Sequence, residues 1–181
     1  MIKIDIENAY HYATVNTNFK NYLGFKFKDK TYRYIVMPFG LKHASFVFNK
    51  TMRPVMKYFR EILSIRCLAY SNDLIFLSQS KKHLQLQVPR IVNKLGSMDW
   101  SICKDMSLLI PTQKVEFLGW VINSSEDQIS MTIQRRAQMI TILSKWRKIS
   151  QLQQPIKIKY LATMIGRLIF SDTNLNEEDF L

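Results

Sequence analysis

Cysteine, acidic residues and long apolar runs are scarce in this sequence, and each scarcity excludes a class of protein. Two cysteines among 181 residues are too few for a disulfide scaffold, so we expect a reduced, intracellular setting, cytoplasmic or nuclear. No apolar run approaches the ~18–20 residues of a transmembrane helix, so no membrane partner is expected. The first residues, MIKIDIENAY, lack the layout of a secretory signal peptide.

Basic residues outnumber the acids, with 26 Lys and Arg against 14 Asp and Glu, for a net charge of +12. An excess of this size favours a polyanionic partner, most often a nucleic acid. A solvated basic surface without a partner is the alternative. Residues 128–171 contain no acid at all, whereas their basic residues are Arg135, Arg136, Lys145, Arg147, Lys148, Lys157, Lys159 and Arg167.

Hydrophobic periodicity divides the chain into strands and helices. MIKIDI predicts a strand, NYLGFKFKDKTYRYIVM a hairpin, and PFGL a turn. SIRCLAY and LIFLSQ predict two strands joined at a Ser-Asn-Asp corner, and KVEFLGWVI predicts one further strand. Helices are expected from about residue 44 and over about 81–95, 132–148 and 156–170. This order indicates an α+β sandwich followed by a small helical part.

Proline stands inside two of the predicted helices. Pro54 should kink the first helix unless a new helical turn starts there. Pro89 lies in the middle of the second helix, where it costs roughly 3 kcal/mol against an ordinary residue. We therefore expect the second helix to break at Pro89.

Two acidic residues stand where apolar strands meet turns, namely Asp5 and Asp73. If their strands are neighbours in one sheet, the two carboxylates converge and repel each other unless a cation lies between them. Mg²⁺ commonly uses one or two carboxylates plus substrate phosphates, and a pair of such ions clamps both oxygens of a phosphoryl displacement. The alternative is that Asp5 is a helix N-cap and Asp73 an ordinary turn residue.

Several motifs, in their order along the chain, resemble the polymerase domain of retroelement reverse transcriptases, which are RNA-directed DNA polymerases. DIENAYHYATVN is similar to the first palm motif, and the hairpin with MPFGL to the segment that follows it. AYSNDLIF stands where the family has Y-x-D-D, and EFLGWVI resembles the strand pair near the primer terminus. The later segments TIQRRAQMITILSKW and IKYLATMIGRLIFS are similar to the helical extension of gypsy-like and DIRS-type retrotransposons.

The resemblance implies a right-hand polymerase palm at residues 1–123, with an antiparallel sheet packed on helices. A helical extension, similar to a thumb or connection, would occupy residues 124–181. The implied reaction is template-directed addition of dNTPs to a primer with two Mg²⁺ ions, or Mn²⁺. The implied partners are an RNA template and a DNA primer, or an RNA–DNA duplex. Met1 stands only four residues before Asp5, so we expect the fingers of the family to be missing.

The resemblance also implies a role for each matched position. Asp5 and Asp73 would bind the metal ions, and Asn72 stands where the family has a further metal-binding acid. The residues implied to contact the incoming nucleotide are Ile6, Ala9, Tyr10, Pro38, Phe39 and Gly40. Those implied to contact the primer are Tyr70, Ser71, Phe117, Leu118, Gly119 and Trp120.

Some of these roles have structural alternatives. Tyr10 would exclude a 2′-hydroxyl by its bulk, although it is also suited to be a core aromatic. Phe39 is alternatively a hydrophobic turn residue, and Trp120 a core residue. Lys50 and Arg53 belong to a basic stripe on the first helix that suits a phosphate backbone, although surface helices are often basic for solubility alone. The basic helices after Thr132 fit binding to a duplex.

The sequence departs from the family pattern at positions that matter for catalysis. Asn72 reduces the potential negative charges of the metal site from three to two, so cation binding should weaken. Met106 falls where the family has a lysine that is thought to protonate the leaving pyrophosphate. We therefore expect this copy to be inactive or strongly impaired. The alternatives are a non-catalytic nucleic-acid-binding remnant and a transcribed relic without a selected role.

Overall fold

The computed structural model describes the backbone of residues 1–172 and the side chains of residues 1–166. It divides into two compact units, Met1–Thr112 and Gln113–Leu181, which are described separately. This division falls before the EFLGWVI segment, whereas the domain boundary predicted from the sequence lies after residue 123. Helices combine with antiparallel sheets, so the predicted α+β class is confirmed.

The first unit contains five strands and two long helices. In chain order they are β1 (Ile2–Asp5), β2 (Gly24–Phe27), β3 (Lys30–Arg33), α1 (Ala44–Glu61), β4 (Arg66–Tyr70), β5 (Asp73–Leu77) and α2 (Lys81–Gly96). Strand β5 lies between β1 and β4 in a three-stranded antiparallel sheet. Strands β2 and β3 form a separate hairpin.

One face of the three-stranded sheet packs against α1. The helix contributes the apolar residues at helical spacing, all buried as predicted, namely Phe48, Met52, Val55, Met56 and Phe59. The sheet contributes alternate residues such as Ile4 and Phe76, and the Phe76 ring lies 5.1 Å from that of Phe59. Each fully buried side chain of this kind contributes about 1.5–3 kcal/mol. The opposite, more open face of the sheet is therefore the one left for polar residues.

The β2–β3 hairpin confirms the turn that was predicted around Lys28-Asp29-Lys30. Lys28 and Asp29 both have positive φ, 45° and 60°, which is the conformation of a two-residue type I′ turn. Phe25 stacks on the opposite Tyr32 with ring centroids 5.5 Å apart, yet both side chains remain exposed. The hairpin thus presents aromatic side chains to solvent.

Proline interrupts neither helix of the first unit. Helix α1 runs through Pro54 and α2 runs through Pro89, so the expected break at Pro89 is wrong. Leu84, Ile91 and Leu95 are buried on one side of α2, from before the proline to after it. This burial on both sides of Pro89 offsets the local cost, because tertiary packing supplies most of the stability of a protein helix.

The second unit contains β6 (Lys114–Phe117), β7 (Trp120–Asn123), β8 (Gln128–Met131), α3 (Ile133–Gln151) and α4 (Ile158–Asp172). The prediction of one continuous strand over KVEFLGWVI is wrong, because the chain reverses at Leu118 and Gly119, whose φ angles are 53° and 78°. Strand β8 pairs with β7 and was not predicted. The strand pair implied by the resemblance is therefore present.

The two helices of the second unit lie close to their predicted positions. Thr132 caps α3, because its Oγ1 accepts a hydrogen bond from the Arg135 amide at 3.3 Å. Trp146 of α3 stacks on Tyr160 of α4 with centroids 5.2 Å apart. The segment of α4 beyond residue 166 lies outside the described side chains. In the described part of the chain, no helix is both long and apolar enough to cross a membrane.

Candidate active site at the carboxylate corner

Asp5, Asn72 and Asp73 form a cluster that we call the carboxylate corner. The antiparallel register places Asp5 of β1 directly opposite Asp73 of β5, so both side chains are on one face of the sheet. The predicted convergence of the two acids is therefore confirmed. Asp5 is not a helix N-cap, since it ends a strand and Asn8 stands before the next helical turn.

A tight turn between β4 and β5 brings Asn72 to the same place. Ser71 adopts a positive φ of 53°, which reverses the chain, and the Ile6 amide donates to the Asn72 carbonyl at 2.9 Å. This bond ties the turn to the residue after Asp5. A second tie comes from Ser107, whose Oγ accepts the Asp5 amide hydrogen at 2.9 Å. The corner is consequently held by hydrogen bonds on both sides.

Each carboxylate of the corner has a donor supplied by the chain itself. Asn72 Nδ2 donates to Asp5 Oδ2 at 2.9 Å. Lys3 Nζ lies 3.3 Å from Asp73 Oδ1, and these two side chains are only 18% and 22% exposed. Sequence reasoning missed Lys3, although strand alternation alone places it on the same face as Asp5.

The ionisation of Asp5 reflects these surroundings. Partial burial raises the pKa of its carboxyl group above the ordinary value, and the neighbouring charge of Asp73 raises it further. The hydrogen bond from Asn72 and the charge of Lys3 lower the pKa, but by less. The charged form of Asp5 is therefore disfavoured on balance.

The corner has one acid fewer than the three that the resemblance implies for a pair of divalent metal ions. Mg²⁺ prefers hard oxygen ligands, and the carboxylates of Asp5 and Asp73 supply them. Among residues 1–166, however, no group of three or more His, Cys, Asp or Glu residues is arranged to hold a metal ion. The third position is the Asn72 side chain, which presents an amide donor to Asp5 in place of a negative oxygen. We derive no chemical step through metal ions at this corner.

Tyr10 connects the first motif with the corner turn and with the start of α1. Its hydroxyl lies 2.6 Å from Ser71 Oγ and 3.1 Å from Ser45 Oγ. Its ring meets those of Phe39 and Phe48 edge to face, with centroids 5.1 and 5.7 Å away. Packing and hydrogen bonds together fix the position of the Tyr10 ring.

The other residues matched to the nucleotide site differ in accessibility. Phe39 is 63% exposed beside Tyr10, and Gly40 follows it with a φ of 87°. Pro38 is buried. Ile6 and Ala9 are only 1% and 2% exposed and belong to the core.

The residues matched to nucleic-acid contacts are divided between the units. Tyr70 is exposed at the end of β4, and Lys50 and Arg53 are exposed on α1. Ser71 lies in the turn between β4 and β5 of the same unit. The remaining matched residues lie in the second unit, at the β6–β7 turn, and are Phe117, Leu118, Gly119 and Trp120. The structure therefore gathers Asp5, Tyr10, Phe39 and the YSND turn in one unit.

Arg135 braces the β6–β7 turn, a role that was not predicted from the sequence. Arg135 Nη1 donates to the Leu118 carbonyl at 2.8 Å, and its guanidinium lies 4.6 Å from the centre of the Trp120 ring. Burial lowers the pKa of Arg135. Its Cδ would be 3.1 Å from a Cβ added to Gly119, so glycine suits both the turn and this contact.

Comparison with known proteins identifies the family. A family model described as "Reverse transcriptase (RNA-dependent DNA polymerase)" matches residues 1–122. The genome polyprotein of Petunia vein clearing virus (isolate Shepherd) is 30% identical over 120 residues, which are 65% of this chain and 5% of that protein. The Pol polyprotein of the Drosophila melanogaster transposon opus is 23% identical over 163 residues, covering 90% of this chain and 15% of the relative.

Solved structures show the same fold. A foamy viral protease-reverse transcriptase in complex with double-stranded DNA matches 94% of this chain and 27% of its own, with a TM-score of 0.67 and 16% identity. The same kind of protein in complex with an RNA/DNA hybrid gives a TM-score of 0.65 and 18% identity. The chain thus spans only a small part of the proteins it matches. The chain belongs to the reverse transcriptase (RNA-dependent DNA polymerase) family.

Proposed function

We propose that this chain is the palm region and helical extension of a retrotransposon reverse transcriptase whose polymerase activity is lost or strongly impaired. The observation that carries the proposal is the hydrogen bond from Asn72 Nδ2 to Asp5 Oδ2. Where the resemblance places a metal-binding acid, this chain has an amide that binds the neighbouring acid. The Pol polyproteins of the transposons gypsy and 297 are among the relatives, which supports a gypsy-like element; a DIRS-type element is the alternative.

The ancestral reaction is template-directed addition of dNTPs to a primer. Phosphoryl transfer of this kind depends mostly on positioning and on neutralising charge, and reverse transcriptases generally do this with divalent metal ions. In this proposal Asp5 and Asp73 are the surviving metal-binding positions. The Asn72 substitution and the ion pair of Lys3 with Asp73 weaken what they can hold. Met106, at the position of the proton-donating lysine, has no proton to donate.

The nucleotide site would be built around Tyr10. Its ring is fixed between Phe39 and Phe48, and its hydroxyl is engaged by Ser71 and Ser45, so it cannot swing aside at low cost. A rigid aromatic ring beside the sugar would exclude a 2′-hydroxyl by contact alone. Pro38 and Gly40 would hold Phe39 at the edge of this site. The substrate class that follows is the deoxynucleoside triphosphate.

The proposed macromolecular partners are an RNA template, a DNA primer and their duplex. The net charge of +12 supports this, as do the exposed Lys50 and Arg53 on α1. The primer contacts would come from Tyr70, Ser71 and the braced turn at Leu118 and Gly119. The two free cysteines, Cys67 and Cys103, agree with an intracellular location, cytoplasmic or nuclear.

A second candidate function is non-catalytic nucleic-acid binding. It is favoured by residues 128–171, which retain eight basic residues and no acid, while the corner has lost its third acid. Phosphate-backbone binding needs only positive charge and is weakened by salt. Salt-dependent binding of an RNA–DNA duplex without primer extension would favour this function over a working polymerase.

Primer extension tests the proposed function. The full 181-residue chain is incubated with an RNA template, a DNA primer, dNTPs and either Mg²⁺ or Mn²⁺, beside a foamy viral reverse transcriptase as the positive control. We expect little or no extension with either ion. Robust DNA synthesis by this chain would overturn the proposal. The variant Asn72→Asp is expected not to restore full activity, because Met106 and the Lys3 ion pair remain.

A further inference from the structure

The face of the sheet that carries Asp5 and Asp73 also carries a lysine. Side chains alternate along a strand, so Lys3 lies on the same face of β1 as Asp5. The register makes Lys3 and Ile75 the next pair on this face after Asp5 and Asp73. The backbone therefore places Lys3 on the same face as the two carboxylates, and its side chain brings the ammonium group to Asp73.

The contact that results differs from a surface ion pair. Lys3 Nζ and Asp73 Oδ1 are 3.3 Å apart, and both side chains are less than a quarter exposed. By comparison, the ion pairs Lys26–Asp29 and Lys57–Glu61 join side chains that are 62–100% exposed. Solvent and salt screen a partly buried pair much less than an exposed one. Lys3 is consequently a lasting source of positive charge at the corner.

We propose that Lys3 is the resident cation of the carboxylate corner and occupies, in electrostatic terms, the place of a divalent metal ion. This inference rests on the proposed function, since it concerns the same site. Lys3 neutralises Asp73, and Asn72 satisfies Asp5, so each acid is stabilised from within the chain. An incoming divalent ion would have to displace both donors and would meet one net negative charge.

Binding of Mn²⁺ alone tests this inference without reference to catalysis. Mn²⁺ is titrated into the full chain in EDTA-treated buffer, and free Mn²⁺ is followed by electron paramagnetic resonance. The variant Lys3→Met removes the ammonium group but keeps a flexible side chain. We expect it to bind Mn²⁺ at least about tenfold more tightly than the natural sequence. Tenfold is the lower end of the change in metal affinity that follows when a neighbour of a metal ligand is replaced. At the same Mn²⁺ concentration, the Tm should rise more for Lys3→Met than for the natural sequence, because stabilisation by a ligand grows as its Kd falls.

Two control variants separate the position of the charge from its amount. Lys26→Met removes the same charge and also an ion pair, but on the exposed hairpin, and should bind Mn²⁺ as weakly as the natural sequence. Lys3→Arg keeps the positive charge at the corner and should also bind weakly. If Lys3→Met does not fold, as judged by circular dichroism, Lys3→Gln supplies the same comparison.

The outcomes distinguish this inference from the proposed function. Equal Mn²⁺ affinity in the natural sequence and in the folded Lys3 variant would overturn the role of Lys3, whether both bind or neither does. Equal gains in Lys26→Met and Lys3→Met would overturn it too, because net charge would then be the cause. The proposed loss of polymerase activity is overturned separately, by primer extension with the natural sequence.

Discussion

Restoring the acid at position 72 should destabilise the chain when no divalent metal ion is present. The change Asn72→Asp replaces a donor, 2.9 Å from Asp5 Oδ2, by a second negatively charged group. A hydrogen bond to a charged acceptor contributes about 1.5–3 kcal/mol, and the lower end applies at a partly exposed corner. Repulsion between the two carboxylates adds about 1 kcal/mol at 4 Å in water.

The expected loss is therefore about 2.5 kcal/mol in the free energy of unfolding. For a chain of this length, ~1 kcal/mol lowers the Tm by roughly 2–4 °C, so Asn72→Asp should melt about 5–10 °C below the natural sequence at pH 7. Differential scanning calorimetry in EDTA measures this shift. The loss should shrink as the pH falls towards 4, because protonation of either acid removes the repulsion and restores a donor.

Asn49→Asp supplies the matched control. It makes the same chemical change at an exposed position of α1, where substitutions usually alter stability by less than about 0.5 kcal/mol. If Asn72→Asp melts no lower than Asn49→Asp at pH 7, the hydrogen bond from Asn72 to Asp5 does not stabilise the corner. The reasoning about the corner would then be refuted.

Three further variants test other parts of the structure. Asp5→Asn should raise the Tm at pH 7, because the pKa of Asp5 is raised and its charged form therefore costs stability above that pKa. The gain in Tm should disappear in acid, and melts over a series of pH values would show this. Tyr10→Phe loses the hydroxyl contacts to Ser71 and Ser45 and should lower the free energy of unfolding in urea by about 1 kcal/mol. An unchanged urea midpoint would mean that these contacts do not stabilise the fold. Phe59→Ala, at a fully buried position, should cost about 3–5 kcal/mol by the same assay, and a loss below 1 kcal/mol would contradict the packing of α1 on the sheet.

The convergence of the two acids was predicted on the condition that their strands are neighbours, because each acid stands where an apolar strand meets a turn. What the sequence could not provide was the register, which places Asp5 opposite Asp73 and Lys3 beside them. Register depends on which side chains fit across the sheet, and a shift of one residue would reverse every face. Alternation alone places Lys3 on the face of Asp5, but the ion pair of Lys3 with Asp73 depends on this register.

Elsewhere, local signals were hidden by their neighbours. Alternation continues on both sides of Leu118 and Gly119, so KVEFLGWVI has the pattern of one strand although the chain reverses within it. The strand Gln128–Met131 follows the polar segment NSSEDQ and is only four residues long, too short for a clear period. At Pro89 the opposite happened, because burial of α2 on the core outweighed a strong local signal.

In this reverse transcriptase domain, Lys3 and Asn72 supply the donors that the two acids of the carboxylate corner would otherwise take from a metal site. Crystals of the chain soaked in Mn²⁺ and measured for anomalous scattering would test that claim most directly. We expect no anomalous peak between Asp5 and Asp73, with Lys3 Nζ still in contact with Asp73. Two peaks about 3.5–4 Å apart and bound by both acids, as in a working two-metal site, would contradict it.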